Sequence, residues 1–282
     1  MVYAYIKNLL RGKLSIKRLC KYLGVSRSGY YVFLNRSPSN LELENAALSE
    51  LIRTLFFQHK GRYGARRIQI ALKREHEVSI SRKRIGRLLR KQGLYTKGIR
   101  RKYRKQSSVR EANSNLIKQQ FHAKKPNQIW FGDITYIPTQ EGMLYCSVYI
   151  DCYTRKCVGF VIRNHLRDSL EIAIQQEKPN HGLIIHTYQG CQYIGHRFYE
   201  CARQYHFVHS QSRKGNPYDN AVMESFYKSF KRETLAGKQF RTKAQSTLTT
   251  IDYLETYYNY QQIHSSLHYL TPYEFETSNK FS

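Results

Sequence analysis

Acidic residues are scarce in this chain of 282 residues: 20 Asp and Glu stand against 47 Lys and Arg, for a net charge of +27. A field of that size needs a polyanion. Nucleic acid is the obvious one, because each neutralised phosphate releases counterions. Cys20, Cys146, Cys152, Cys157, Cys191 and Cys201 contain no Cys-x-x-Cys pair and lack the spacing of a small secreted scaffold, so reduced thiols are expected. His264 and His268 have a finger-like separation but no upstream cysteine pair to complete a tetrahedral zinc site. No apolar run approaches the roughly 20 residues of a membrane span. Met1 to Lys7 lack a signal peptide's basic start and long apolar stretch. The expectation is a cytoplasmic protein with no membrane partner.

What is present is unevenly placed. Residues 1–125 hold 31 of the 47 basic residues and 6 of the 20 acidic ones, so nearly all the net charge sits in the first half. Ser15 to Leu34 reads as a helix, a turn at Gly24 and a second helix capped by Ser26, with Ile16, Leu19, Cys20 and Leu23 on one face. In a helix-turn-helix the second helix enters the major groove, which would turn Arg27 and Ser28 toward DNA. An ordinary helical hairpin fits the same pattern. Ser37-Pro-Ser-Asn40 breaks the chain before a helix at about 41–58. A second helical pair follows over Gly61 to Lys73 and Ser79 to Leu94. There Ile85, Leu88 and Leu89 form an apolar stripe surrounded by Arg82, Lys83, Arg84, Arg87, Arg90 and Lys91. Charge of one sign favours phosphate contact, adding Arg66, Arg67, Arg82, Arg84 and Arg87 to the candidate DNA-binding residues. The organisation read here is a helical region over 1–58, a second basic helix-turn-helix-like region over 59–96, a basic linker over 97–125 and a core over 126–282. Within the linker, 97–110 has no apolar period.

From Pro126 the pattern changes. Ile129 to Ile137, Leu144 to Asp151 and Cys157 to Arg163 are three β-rich runs separated by short turns, as in an antiparallel meander. A helix at about 167–176, a buried strand at Leu183 to Thr187, a helix at about 195–205, a short strand near Phe207 to His209 and a long helix from about 218 complete the order. The pattern alone implies an α/β fold with a mixed sheet, preceded by an all-α region.

Three segments carry chemistry. Gln128 to Ile137 places Asp133 inside an apolar strand. Gly215 to Phe226 places Glu224 at the start of an amphipathic helix, with Lys228 and Lys231 four and seven positions on and sharing its face. Counting back 36 positions from Glu224 reaches Tyr188, within Ile184 to Tyr193. These words and their spacing resemble insertion-sequence transposases of the OrfB type, bacterial relatives of retroviral integrases, whose active site is two aspartates and a glutamate. The resemblance runs from about Ser15 to Glu276 and includes Arg62 to Ile68 and Arg84 to Leu89, similar to the family's second helix-turn-helix.

The resemblance implies a ribonuclease-H-like core that binds element-end DNA and, ancestrally, cleaves and joins phosphodiesters for DNA integration and recombination. Asp133 and Glu224 would be catalytic and would bind Mg²⁺, or Mn²⁺ in its place. Lys228 and Lys231 would contact DNA. It also implies self-association on paired ends, an upstream helix-turn-helix partner from the same element, and a nucleoid-associated location. The chain departs from the family at one decisive point. Where the middle aspartate belongs stands Tyr188, so one negative charge and one hard oxygen ligand are missing. The expectation is weakened metal binding and impaired catalysis. Asp151, at the end of the second strand, is the one distant carboxylate in a position to compensate. Three further motif positions depart: Gly132 for the family's Thr, Cys191 for Ser, and Gln262 for Arg within Tyr258 to Leu267. Such changes read as drift in a decaying element. The alternative function is a non-catalytic DNA-binding remnant or a repressor of related elements.

Overall fold

In the computed structural model, described over residues 2–10, 15–96, 114–163, 169–188, 196–213 and 216–280, a five-stranded mixed sheet organises the second half. Strand β1 (Ile129–Thr139) lies at its centre, in the order β3-β2-β1-β4-β5. Apolar runs joined by a tight turn at Gly142, which adopts φ 101°, pair β1 antiparallel with β2 (Gly142–Asp151), and β2 pairs with β3 (Cys157–Arg163). Strands β4 (Ile184–Thr187) and β5 (Val208–Gln211) add in parallel on the other side.

The pleat sorts side chains by face. Trp130, Tyr149, Val158 and Ile185 pack with Leu170, Ala173 and Ile174 of α7 (Ser169–Glu177) and Cys201 of α8 (His196–Tyr205). Phe131, Val148 and Ile150 face the other way, into a cluster with Met223, Phe226 and Phe230 of α9 (Ala221–Phe230). A π-helical turn, Lys231–Leu235, continues α9.

That second cluster extends well beyond the sheet. It includes Leu48, Ile52 and Phe56 of α4 (Asn40–Gln58), Ile68 and Leu72 of α5 (Ala65–His76), and Ile85, Leu88 and Leu89 of α6 (Arg82–Lys91). The apolar stripe read on α6 is therefore a core face. Helix α4 starts at a capping box, where Ser39 Oγ accepts the Glu42 amide and the Glu42 carboxylate accepts the Ser39 amide at 2.7 Å. Because α4 packs with α5 and α6, the break in the helical half falls near residues 36–39 and not at 58. The residues before it, including α1 (Val2–Tyr5), α2 (Ile16–Tyr22) and α3 (Arg27–Asn35), bury a small cluster of their own: Ile6, Leu19, Cys20 and Tyr30. Gly24 at φ 63° makes the turn between α2 and α3, and Ser26 Oγ accepts the Gly29 amide at 3.0 Å. Both features follow the sequence reading.

The linker reading needs correction over its second part. Residues 97–113 lie outside the described residues, but Ile117 is buried in the main cluster and the Leu116 amide donates to Ser210 Oγ. Residues 114–125 thus belong to the core.

The C-terminal extension ties the helical half to the sheet. Asp252, in the π-helical run Asp252–Tyr258 that continues α10 (Lys243–Ile251), pairs with Lys60 at 2.8 Å. Glu274 of α11 (Pro272–Lys280) pairs with Arg74 at 2.6 Å, and Tyr63 Oη donates to the Gln261 carbonyl at 2.7 Å. Asn259 clasps β3 by accepting the Cys157 amide and donating to its carbonyl.

Candidate active site at the sheet centre

Asp133 sits on β1, whose neighbours on either side fix its surroundings. It is opposite Val148 of β2, and the preceding residue, Gly132, is opposite Thr187 of β4. Tyr188 follows Thr187 directly, so the chain leaves β4 beside Asp133. The alternation that turns Phe131 and His186 together (ring centroids 5.5 Å apart) assigns Asp133 to that same α9-facing side. Tyr188 is half-buried.

Across this face, α9 presents Glu224 in its first turn, exposed, with Lys228 exposed one turn further and Lys231 half-buried beyond it. Tyr227 on the same helix locks the strand, its hydroxyl donating to the Asp133 carbonyl at 2.6 Å. Burial pushes the Asp133 carboxyl up to about 7, and the nearby Glu224 charge adds to the rise. The Ile134 amide, at 2.8 Å from Oδ1, and Lys231 oppose it. A raised carboxylate beside a second carboxylate is the electrostatic situation that a hard divalent cation relieves. Two carboxylates with water suit one Mg²⁺. Among the described residues no group of three or more His, Cys, Asp or Glu converges as a two-ion site would require.

Asp151 does not fill the gap. Its Oδ1 accepts the Asn127 amide at 2.9 Å, and its Oδ2 accepts the Tyr153 and Thr154 amides and the Thr154 hydroxyl. It pairs across from Trp130, three residues before Asp133, and serves the β2–β3 turn. Another acid that the sequence reading passed over, Asp219, shapes the approach to α9. Fully buried, it accepts three bonds at 2.9 Å from the amide and guanidinium of Arg213, and one from Gln119. The Arg213 guanidinium holds its carboxyl well below the usual range.

The candidate DNA-contacting residues divide. Arg27 and Ser28 are exposed at the start of α3, and Arg82 and Arg87 are exposed on α6. Arg84 is committed within the helical unit, donating to Glu44 at 2.8 Å and Asn45 at 2.9 Å. Arg67 forms a 3.0 Å ion pair with Glu233, whose side chain is only 2% exposed. Arg66 donates to Tyr269 Oη at 2.6 Å. For Arg67 and Arg84 a structural pairing thus replaces the phosphate contact read from their sequence. Gln262 is buried 2.9 Å from Tyr253 Oη, in the pocket of polar groups around Glu233. The signal for it was the Tyr258–Leu267 motif, whose tyrosine donates to the Arg155 carbonyl and whose asparagine clasps β3.

Comparison with known proteins gives consistent matches along the chain. Residues 123–217 match an integrase core domain, 206–272 a second integrase core domain profile, and 42–103 an HTH-like domain. The transposase for insertion sequence element IS904 of Lactococcus lactis subsp. lactis (strain IL1403) is 46% identical over 257 residues, 87% of this chain and 100% of that protein. Transposase InsF for insertion sequence IS3A of Escherichia coli (strain K12) is 33% identical, covering 99% of each. Among solved structures, the HTLV-2 integrase catalytic core domain in complex with magnesium aligns over 55% of this chain and 99% of that one, at 16% identity and a TM-score of 0.41.

Proposed function

Because this chain belongs to the IS3-type insertion-sequence transposases, with an HTH-like domain ahead of an integrase core, we propose that it binds the ends of its element and that Tyr188 impairs the chemistry there. Exposed Arg27, Ser28, Arg82 and Arg87 would hold double-stranded DNA, and Lys228 and Lys231 would hold the phosphates next to Asp133 and Glu224. These two carboxylates would bind Mg²⁺, or Mn²⁺, which supplies Lewis-acid stabilisation of the attacking and leaving oxygens. Tyr188 brings a neutral phenol and a bulky ring to the side of Asp133 where a third carboxylate would complete the donor set. Metal affinity and strand transfer both fall in consequence. Assembly as a multimer on paired ends, with an upstream helix-turn-helix partner, completes the reading.

The observation supporting it is the parallel pairing of Gly132 with Thr187, after which Asp133 and Tyr188 are the next residues on the two chains. The test is an end-cleavage and strand-transfer assay in Mg²⁺ or Mn²⁺ on this chain and its Tyr188→Asp variant. Joining by the variant alone is the expected result. Comparable joining by the unaltered chain would refute the impairment. If neither joins DNA while both bind it, the second reading gains: a DNA-binding remnant, acting as a repressor of related elements.

A further inference from the structure

A cavity of about 490 Å³ lies where α5, α9, the β2–β3 turn and the segment 262–269 meet. Its charge is one-sided. Arg66, Arg67 and Arg155 line it, together with Ser225, Ser229, Ser265 and Ser266, and among the described residues no carboxylate does. Arg67 has its partner in Glu233. The other two guanidinium groups are hydrogen-bonded only to neutral groups among the described residues: Arg66 to Tyr269 Oη at 2.6 Å, and Arg155 to the Phe121 carbonyl at 3.3 Å. Two such forks facing one cavity repel each other, and an anion between them removes the repulsion. His264, also in the wall, has a buried Nε2 with no partner. Burial, and then Arg67 and Arg155, press its imidazole down to about 3. The walls between the arginines are aromatic, formed by Phe226, Tyr258 and Tyr269.

We infer that this cavity binds a phosphodiester of the DNA backbone, gripped by Arg66 and Arg155 and by the hydroxyls of Ser225 and Ser229. Planar guanidinium forks match phosphate oxygens bidentately, and serine hydroxyls supply short donors. The volume exceeds one phosphate and leaves room for the attached sugar against the aromatic wall. Position supports the assignment. Ser225 and Ser229 each follow a residue of the candidate active site, Glu224 and Lys228, and so stand about 100° round the same helix. A strand held by Lys228 and Lys231 on one face of α9 reaches the cavity on the next.

This inference rests on the DNA-binding function above, and the experiment separates the two. Binding of a short labelled duplex to the full chain is measured as a function of salt. The comparison covers the wild type, Arg66→Ala/Arg155→Ala, Ser229→Glu, and Arg53→Ala as a control, since Arg53 is exposed and does not line the cavity. The double variant is expected to bind about tenfold more weakly, with a log–log salt slope smaller in magnitude by about 1 per lost phosphate contact. Ser229→Glu supplies a carboxylate to the arginines, so its thermal midpoint holds or rises while its DNA affinity falls. That opposite movement separates a blocked site from a misfolded one. If folded variants bind the duplex as the wild type does, the inference is overturned, whereas a wild type that does not bind duplex at all overturns the parent function as well. Inorganic phosphate or pyrophosphate raising the wild-type midpoint, with duplex binding unchanged in the variants, would assign the cavity to a small free anion and also overturn it.

Discussion

Gly132, one residue before Asp133, offers a direct measure of whether this chain has decayed or has been repacked. In the register of the sheet, Gly132 is opposite Tyr149 and Tyr149 is opposite Gly159, so one buried tyrosine lies between two glycines on adjacent strands. A Cβ added at Gly132 would come within 2.4 Å of the Tyr149 ring, and one at Gly159 within 2.4 Å of Ala173 Cβ. The ring fills the space that a side chain at 132 would take. Restoring the threonine that the family resemblance implies, Gly132→Thr, therefore overpacks a close-packed layer and destabilises by about 1–3 kcal/mol. Tyr149→Val leaves a cavity and costs about 2–3 kcal/mol. Combined, the threonine occupies part of that cavity, so the double variant is more stable than the sum by at least ~1.5 kcal/mol. Urea unfolding followed by fluorescence reads this cleanly, because the chain's one tryptophan, Trp130, is buried in the same cluster. Additivity within about 0.5 kcal/mol would refute the reasoning. It would return Gly132 to the account of unselected drift.

Other perturbations follow from the charges. With its folded-state pKa raised to about 7, Asp133 favours the fold below its unfolded value, and that contribution is lost as pH rises through 7. In chelator at pH 8, Asp133→Asn should therefore raise the unfolding free energy, by at most roughly 4 kcal/mol, and make no difference near pH 4. Asp219 has the opposite sign: its depressed pKa stabilises above the unfolded value and the benefit is lost as pH falls, so Asp219→Asn should lower the melting temperature at pH 7 and approach the wild type in acid. Arg67→Met strips the buried Glu233 of its main partner and should cost about 2–4 kcal/mol, read by denaturant unfolding, with Glu233→Gln in the same background recovering part of the loss. Asp151→Ala should cost about 2–4 kcal/mol without changing Mg²⁺ affinity measured by calorimetry; a change in that affinity would reinstate it as a ligand.

Much of this architecture was legible from local pattern. Strand alternation marked the three-strand meander, Gly24 and Ser26 marked a turn and a cap that form as read, and Asp133 lies on a strand and Glu224 in the first turn of a helix. What local pattern could not carry was partnership across long separations. Arg67 and Glu233 are 166 positions apart, and Arg74 and Glu274 are 200 apart, so a basic helix face read as free for phosphate is partly occupied by the chain's own C-terminal acids. Arg84 shows the same effect over 40 positions, because α4, which carries Glu44, packs with α5 and α6. Helical periodicity identifies a buried face but does not say what buries it. The role of Asn259 was likewise visible only as a motif until its two bonds to Cys157 supplied the reason.

The hydrophobic cluster that joins Ile52, Ile68 and Leu88 to Phe131 and Phe226 has a mechanical meaning. Domains that meet through small polar contacts pivot, and a large apolar interface suppresses the pivot. Here α6 shares one buried core with the strand that carries Asp133 and the helix that carries Glu224. On the proposed function the chain would act as a caliper: a duplex seated against α6 would meet the Asp133–Glu224 face at a fixed distance and rotation. Inserting one base pair between the two proposed contacts would turn the phosphate at that face by about 34°, and only a full turn of the duplex, about 10.5 base pairs, would restore the phase.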